Sequence, residues 1–221
     1  MIRSGFRNDK VLHLIASARY QYQLTSVLSY LQLRPSDFDT RYNLDYSQPG
    51  LPEEERRGQY QYYLPLGWYR HGLNVANKYP DNNIWLGQQN IDGEWPVAFH
   101  GTQSQAVSSI TLKGLLPSFT KRDVKKNDAV LQAGTAVNRL GLYVATHCTG
   151  GADAYALPFK VSNGDKSEEF RVMFQCRVKP GSFTSHTDPV RVGEAWRIVD
   201  PEAVRPYGLL LKNETIQTQR D

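Results

Sequence analysis

Apolar residues recur three or four positions apart near the start of the chain. Between residues 11 and 33 they are Leu12, Ile15, Ala18, Leu24, Val27, Leu28 and Leu31. This spacing predicts an amphipathic helix, or two helices broken near residues 21–23. Pro35-Ser36-Asp37 ends the pattern, and the polar, charged residues 36–58 predict a solvated connection. Residues 1–59 are therefore interpreted as an N-terminal helical extension and linker.

Two helices are predicted in the region that begins near residue 60. Residues 67–80 predict a short helix ended by proline. Residues 102–113 predict a second helix, with Thr102 or Ser104 as its N-cap. Gly114 comes just past the last apolar position of this helix, where glycine is the commonest helix terminator.

Short apolar segments bounded by turn residues make up most of the remaining chain. The predicted strands are residues 96–100, 140–146, 170–178, 196–199 and 207–212. A small helix is predicted over residues 151–159, and no internal repeat is visible. Because these strands do not alternate regularly with long helices, the pattern favours an α+β fold over a doubly wound sheet.

Composition narrows the class of protein. The chain has 221 residues, which is typical of one domain or one domain with an extension. Its apolar runs are too short to cross a bilayer, and its N-terminus lacks a secretory signal pattern, so we expect no membrane partner and a cytoplasmic or nuclear location. Cys148 and Cys176 are expected to be free thiols in a reducing compartment. No Cys-x-x-Cys spacing is present, so no metal is expected.

A slight excess of positive charge is compatible with an anionic ligand. The formal net charge is +4, which favours such a ligand mildly and also allows a nucleic-acid partner. It demonstrates neither.

His100-Gly101-Thr102 is the first candidate for chemistry. A glycine between a strand and a helix lets a ligand approach the backbone. Its N–H and C=O can then hold a flat amide, with the threonine hydroxyl as a third partner and the imidazole near a sugar hydroxyl. A plain helix cap explains the same tripeptide.

An aromatic pair and a carboxylate are the other candidates. Tyr143 in a strand and Tyr155 in a helix can form a slot whose faces stack on a planar pyridinium. Glu194 enters a late strand, where a carboxylate can stabilise an oxocarbenium-like sugar. Ordinary half-buried tyrosines and a solvent-facing glutamate are the alternatives. Together, however, the three elements supply the parts needed to cleave a nicotinamide–ribose bond.

The order of these motifs resembles the catalytic domain of poly(ADP-ribose)polymerase-like ADP-ribosyltransferases, the diphtheria-toxin-like group with a His-Tyr-Glu trio. The motifs are His100-Gly101-Thr102, Gly114-Leu115, Gly141-Leu142-Tyr143, Ala152-Asp153-Ala154-Tyr155 and Glu194. The similarity covers residues 96–211, roughly half of the chain. It implies a split, strongly bent, mixed or antiparallel sheet with an NAD cleft, within a catalytic domain over residues 60–215.

The resemblance also implies roles at the matching positions. NAD would be the co-substrate, and His100, Tyr143 and Glu194 would form the catalytic trio. The nucleotide would be held by His100, Gly101, Thr102, Gly114, Tyr143, Ala154 and Tyr155. In this scheme Gly101 and Thr102 clamp the carboxamide, the two tyrosines enclose the nicotinamide ring, and Glu194 contacts the nicotinamide-side ribose.

Three departures from the family pattern affect these expectations. Leu116 stands where many members have a basic residue, so the contacts to the adenosine end differ. The donor loop would be residues 117–139, with four cations that could neutralise a pyrophosphate. One extra residue separates the two tyrosines, and the short chain between Tyr155 and Glu194 favours transfer of a single ADP-ribose unit to a protein or nucleic-acid acceptor.

Three other functions stay open at this point. The same fold and a His-Gly-Thr element occur in NAD-dependent RNA 2′-phosphotransferases, although no convincing set of phosphate-binding residues is found here. A non-catalytic NAD- or ADP-ribose-binding module is the second, since a fold alone never proves activity. A transferase directed at DNA or RNA bases is the third. The sequence does not indicate an oligomeric state.

Overall fold

A computed structural model describes residues 25–76, 78–117, 141–164, 166–187 and 190–215. The predicted helix over residues 11–33 therefore lies largely outside the described residues. Residues 25–30 are helical and are called α1. The Leu31 N–H donates to Val27 O at 2.9 Å, and the chain then turns at Gln32, which has a φ of 57°.

The described residues form eleven strands and a second helix, α2 (Val107–Lys113). The strands are β1 (Leu44–Asp45), β2 (Glu54–Arg57), β3 (Tyr60–Tyr63), β4 (Tyr69–Gly72), β5 (Val97–Gly101), β6 (Leu142–Ala145), β7 (Phe159–Asn163), β8 (Lys166–Val178), β9 (Phe183–His186), β10 (Ala195–Ile198) and β11 (Val204–Asn213). Short 3-10 turns span Pro35–Asp37, Thr40–Tyr42, Asn83–Leu86, Ser104–Ala106, Asp153–Tyr155 and Pro201–Ala203.

One large sheet organises the described part of the chain. Its strand order is β1-β4-β11-β8-β5-β6-β10-β9, with β7 also paired to β8 and a separate β2–β3 hairpin. Every strand pairing in the described residues is antiparallel. The protein is therefore α+β with a mostly antiparallel sheet and few helices, which confirms the predicted class.

The long strand β8 lies inside the sheet and is covered on both faces. Val172, Phe174 and Cys176 belong to a core cluster that also contains residues of α1 and α2, whereas Met173 belongs to a second cluster with Tyr62 of the β2–β3 hairpin. This follows from the period of two along a strand, which sends successive side chains to opposite faces.

The strand predictions are confirmed with small shifts of boundary, but the helix predicted over residues 67–80 is wrong. Tyr69–Gly72 is strand β4, which pairs with β1 on one side and with β11 on the other. Pairing with two distant segments outweighs a weak local helical pattern, because tertiary packing commonly overrides propensity.

Residues 36–58 are mostly exposed or half-buried, as predicted for a solvated connection, but they also contain secondary structure and a buried tyrosine. This segment contains β1 and β2, and the Tyr46 side chain is 3% exposed. The Tyr46 hydroxyl lies 3.0 Å from the Tyr62 hydroxyl. The boundary proposed after residue 59 falls in the turn of the β2–β3 hairpin, in which Arg57 pairs with Tyr60.

The helix predicted over residues 102–113 is correct in place and differs in detail. Neither Thr102 nor Ser104 caps α2 through its side chain, and a 3-10 turn over Ser104–Ala106 leads into the helix. Gly114 ends α2 as predicted, with a φ of 81° that favours glycine. No helix in the described residues is long and apolar enough to cross a membrane.

Candidate functional site

Three neighbouring strands carry the predicted trio. Strand β6 lies between β5 and β10, so His100 at the end of β5, Tyr143 in β6 and Glu194 just before β10 come from adjacent parts of the sheet. Among the described residues, β5 joins β6 only through the pair Phe99–Ala145, although β5 pairs with β8 along its whole length. The β5–β6 boundary is therefore the weakest seam in this part of the sheet.

The His100 ring lies at this seam. Its Nδ1 atom is 2.9 Å from the Tyr143 carbonyl oxygen, and because a carbonyl only accepts, Nδ1 carries the proton and donates. In the neutral ring, Nε2 is then the acceptor nitrogen. The imidazole is thereby held in one orientation, with a nitrogen suited to accept from a sugar hydroxyl.

Gly101 packs directly against the turn that carries Tyr155. A Cβ atom placed on Gly101 would lie 1.9 Å from Ala152 O and 2.9 Å from Tyr155 Cβ. No side chain fits there, so glycine is required by close approach. Tyr155 is 55% exposed and Tyr143 is 39% exposed, which leaves both rings open to a ligand near the end of β5.

The turn before Tyr155 is a π-helical turn over Cys148–Ala152, followed by a 3-10 turn over Asp153–Tyr155. The Ala152 N–H donates to His147 O at 3.4 Å across five residues. His147 Nδ1 accepts from the Gly150 N–H at 2.9 Å, and burial lowers the pKa of His147. The neutral imidazole thus serves as the cap of this turn. The helix predicted over residues 151–159 is wrong at both ends, because the turns start at Cys148 and β7 begins at Phe159.

Glu194 is held by its neighbours at both backbone and side chain. Its N–H donates to Thr146 Oγ1 at 2.8 Å, and its carbonyl accepts from the Thr146 N–H at 2.9 Å. The Trp196 indole N–H donates to Glu194 Oε2 at 2.8 Å. A Cβ atom on the preceding Gly193 would lie 2.3 Å from Thr146 Oγ1, so glycine is needed for this approach.

The indole of Trp196 is fixed by two further rings. It stacks on Phe183, with centroids 4.1 Å apart and an interplanar angle of 20°, and it meets the edge of Tyr60 at 5.6 Å. Tyr63, on the same strand as Tyr60, lies 5.0 Å from His147 between ring centroids. The β2–β3 hairpin therefore forms one wall beside Glu194.

The register places His100 and Glu194 on opposite sides of a common row of paired residues. Phe99 and Ala195 both pair with Ala145, and the two residues lie one position to either side of that row. Two strand spacings of about 5 Å and two residue steps of about 3.4 Å put their Cα atoms about 12 Å apart. A ligand, and not a direct hydrogen bond, would bridge the two side chains.

The other predicted binding residues have different surroundings. Thr102 is buried, and its hydroxyl lies 3.5 Å from Gln103 O. Ala154 is exposed in the turn beside Tyr155. Gly114 serves as the terminator of α2, with nothing within 4 Å of the position that a Cβ would take. Most of the predicted donor loop, 117–139, lies outside the described residues, as do its four cations.

Neither cysteine is suited to be a nucleophile. Cys148 and Cys176 are free and buried, which agrees with the expected free thiols. Burial raises the pKa of Cys148 to about 11 and raises that of Cys176 further, so both stay protonated near neutral pH. In the described residues, no three His, Cys, Asp or Glu side chains are grouped as metal ligands.

A cavity of about 280 Å³ lies away from these residues. Its lining residues are Ser36, Asp37, Leu73, Asn74, Val75, Lys78, Thr111 and Leu112. None of the predicted site residues contributes to it.

Sequence reasoning missed the groups that hold Glu194. Trp196 stands two residues after it, and a period of two places both side chains on one face of a strand. That signal was available in the sequence. The contribution of Thr146 could not be predicted from the sequence, because it depends on the pairing of β6 with β10.

Comparisons with protein families and with curated proteins assign no function to this chain, so the function is argued from the geometry of the site. No protein-family model matches the chain, and no curated protein matches it.

Proposed function

We propose that this protein is an NAD-dependent mono-ADP-ribosyltransferase, which cleaves the nicotinamide–ribose bond and transfers ADP-ribose to a protein or nucleic-acid acceptor. One observation supports the proposal: β5, β6 and β10 are neighbours in the sheet and carry His100, Tyr143 and Glu194, and β5 and β6 share a single residue pair. The split, bent sheet of the ADP-ribosyltransferase fold, with its NAD cleft at this seam, is part of the proposal.

The nicotinamide would bind beside Gly101. The close packing of Gly101 against Ala152 and Tyr155 supports a slot in which the Gly101 backbone contacts the carboxamide and the exposed rings of Tyr143 and Tyr155 enclose the pyridinium. His100, with Nε2 as an acceptor, would bind the adenine-side ribose. Thr102 would supply the third carboxamide contact after its weak bond to Gln103 is exchanged.

The π-helical turn supports the assignment of Tyr155. The chain has one residue more between its two tyrosines than common members of the family it resembles. A π turn closes its hydrogen bond over one more residue than an α turn does, and such a turn spans Cys148–Ala152. The π turn thus accommodates the extra residue before Tyr155, and Tyr155 still packs against Gly101.

Glu194 would act on the ribose next to nicotinamide. As the bond to nicotinamide breaks, positive charge develops on the sugar, and a fixed carboxylate stabilises that charge. Trp196 occupies Oε2, while Oε1 can accept from a ribose hydroxyl. The electron pair of the broken bond leaves with nicotinamide, and the acceptor then forms a bond to the sugar carbon and releases its proton to water.

The decisive experiment measures nicotinamide release and label transfer from radiolabelled NAD, with a mixed lysate as acceptor. Glu194→Ala is expected to lower turnover by about 10²–10³, since placed charge in a site shielded from water is worth that much in rate. NAD affinity should change far less. Glu202→Ala, an exposed glutamate of the 3-10 turn before β11, is the matched control and should keep full turnover.

The outcomes separate the alternatives. Near-normal cleavage in Glu194→Ala would remove the glutamate from the mechanism, and NAD binding without nicotinamide release would indicate a binding module. Label in nucleic acid with a steep salt dependence would identify a base-directed transferase. A glutamate-independent reaction on 2′-phosphorylated RNA would identify a phosphotransferase, and a polymer-sized product would contradict single-unit transfer.

A further inference from the structure

We propose that Trp196 is the positioning residue of the site: its indole N–H holds the Glu194 carboxylate in the orientation that the reaction needs. This inference rests on the proposed function, because it assigns a role within the same site. It adds a residue that the predicted trio does not contain.

The two bonds to Thr146 leave the carboxylate itself unfixed. They hold the backbone N–H and the carbonyl of Glu194 at 2.8 and 2.9 Å, but the side chain keeps its own rotatable bonds. A glutamate loses considerable rotamer freedom when it is ordered. The bond from Trp196 Nε1 to Oε2 at 2.8 Å is the contact in the described residues that restricts this freedom.

The donor is itself rigid. The Trp196 side chain is 1% exposed and is packed between the stacked ring of Phe183 and the edge of Tyr60. A rigid donor costs little further entropy when it orders the carboxylate, which is the condition for a prearranged site. The hydrogen bond is also charge-assisted, and such bonds are stronger than neutral ones.

Two other buried tryptophans of the chain can be compared with Trp196. The indole nitrogens of Trp68 and Trp85 are buried without a hydrogen-bond partner among the described residues. A buried indole in this protein therefore does not need an acceptor in order to pack. The pairing of Trp196 with a carboxylate is consequently a feature of the site and not a general property of its tryptophans.

The geometry also gives the two oxygens of the Glu194 carboxylate different roles. The indole binds one oxygen, so the other faces the ligand as an acceptor, since an ionised carboxylate has two acceptor oxygens. Without the N–H, both oxygens would sample several orientations. We expect the loss to appear in the chemical step more than in NAD binding, because the Glu194 contact matters most when charge develops on the sugar.

The test compares Trp196→Phe with Trp68→Phe. Each change removes one indole N–H from a nearly fully buried side chain and keeps an aromatic ring, but only Trp196 donates to Glu194. Trp196→Phe is expected to lower kcat for NAD cleavage about tenfold, the size of one lost hydrogen bond to a charged group, with KM changed by less than about twofold. Trp68→Phe should keep kcat. Wild-type kcat in a folded Trp196→Phe protein would overturn the inference.

A second measurement tests the inference independently of NAD cleavage. The indole N–H resonances of the four tryptophans are compared by ¹⁵N NMR in the wild type, Glu194→Ala and Glu202→Ala. The Trp196 resonance should move upfield in Glu194→Ala and stay in place in Glu202→Ala. An unmoved resonance overturns the inference even if the protein cleaves NAD. If the resonance moves in Glu194→Ala but the wild type does not cleave NAD, the proposed function is overturned instead, and the positioning role with it.

Discussion

His71 illustrates how a single residue in the interior couples stability to pH. It lies in β4 with 3% of its surface exposed, and its Nε2 atom is buried without a partner in the described residues. The ring contacts Tyr69 at 4.7 Å and Phe38 at 6.0 Å. Burial lowers the pKa of His71 to about 4, because these apolar surroundings penalise the charged imidazolium.

Stability should therefore fall as the pH is lowered through the range in which only the unfolded state takes up a proton. Between the unfolded pKa near 6.5 and the folded value of about 4, the loss from His71 amounts to about 3 kcal/mol. Above that window the contribution is constant. We expect His71→Phe to remove this loss, since phenylalanine fits between the same rings and does not titrate.

Urea unfolding at a series of pH values from 7 to 4 measures the effect. His186→Gln, in the edge strand β9, is the control and should retain the fall seen in the wild type. A His71→Phe protein whose unfolding free energy drops as steeply as that of the wild type would show that the acid sensitivity arises elsewhere.

At the scale of elements, the site depends on how strand β5 meets the turns over Cys148–Tyr155. Gly101 is the contact point, because Ala152 O occupies the position that a Cβ would take. Its φ is not among the positive values, so the requirement for glycine comes from space and not from backbone conformation. The turn and the strand hold each other in place.

Gly101→Ala is expected to push this turn away from β5. Overpacking of this kind costs about 1–3 kcal/mol, which a shift in the thermal unfolding midpoint would register, and NAD binding should be lost because Tyr155 moves with the turn. Calorimetric titration with NAD measures the binding. Gly181→Ala, at a turn with open space and a φ of 73°, should lower stability by about 1 kcal/mol through its left-handed backbone alone and leave binding intact. Equal NAD affinity in both variants would contradict the slot.

At the scale of the whole molecule, the described segments at 44–45 and 54–57 pair with strands that follow residue 59. Strand β1 pairs with β4, and β2 pairs with β3. Tyr46 connects these parts, because its hydroxyl contacts both Tyr62 at 3.0 Å and Arg70 Nη1 at 3.2 Å. Gln175 of β8 completes this network by donating to the Tyr62 hydroxyl at 2.8 Å.

A chain that begins at residue 60 is therefore expected to be less stable than a chain of residues 25–215 by at least about 3 kcal/mol, the cost of removing one large buried aromatic side chain. Urea unfolding of both chains, with Tyr46→Ala in the longer one, measures the difference. Matching midpoints for the two chains would instead support a catalytic domain that is independent of residues before 60.

Local pattern was enough to predict several elements. Strand β8 and the cap at Gly114 follow from alternation and from glycine after the last apolar helical position. Strand β4 could not be predicted in this way, because it is stabilised by β1 and β11, which lie far away in the chain. A short segment with mixed character takes the structure that its partners impose.

By itself, the sequence determined the α+β class, the positions of five of the eleven described strands and the residue types of the candidate site, because these depend on periodicity and on turn chemistry close by in the chain. Only the tertiary structure decided that β5, β6 and β10 are neighbours, that Gly101 faces Ala152, and that Thr146 binds the backbone of Glu194. Those contacts join segments or side chains whose relative positions come from strand pairing and packing, and no local pattern encodes them.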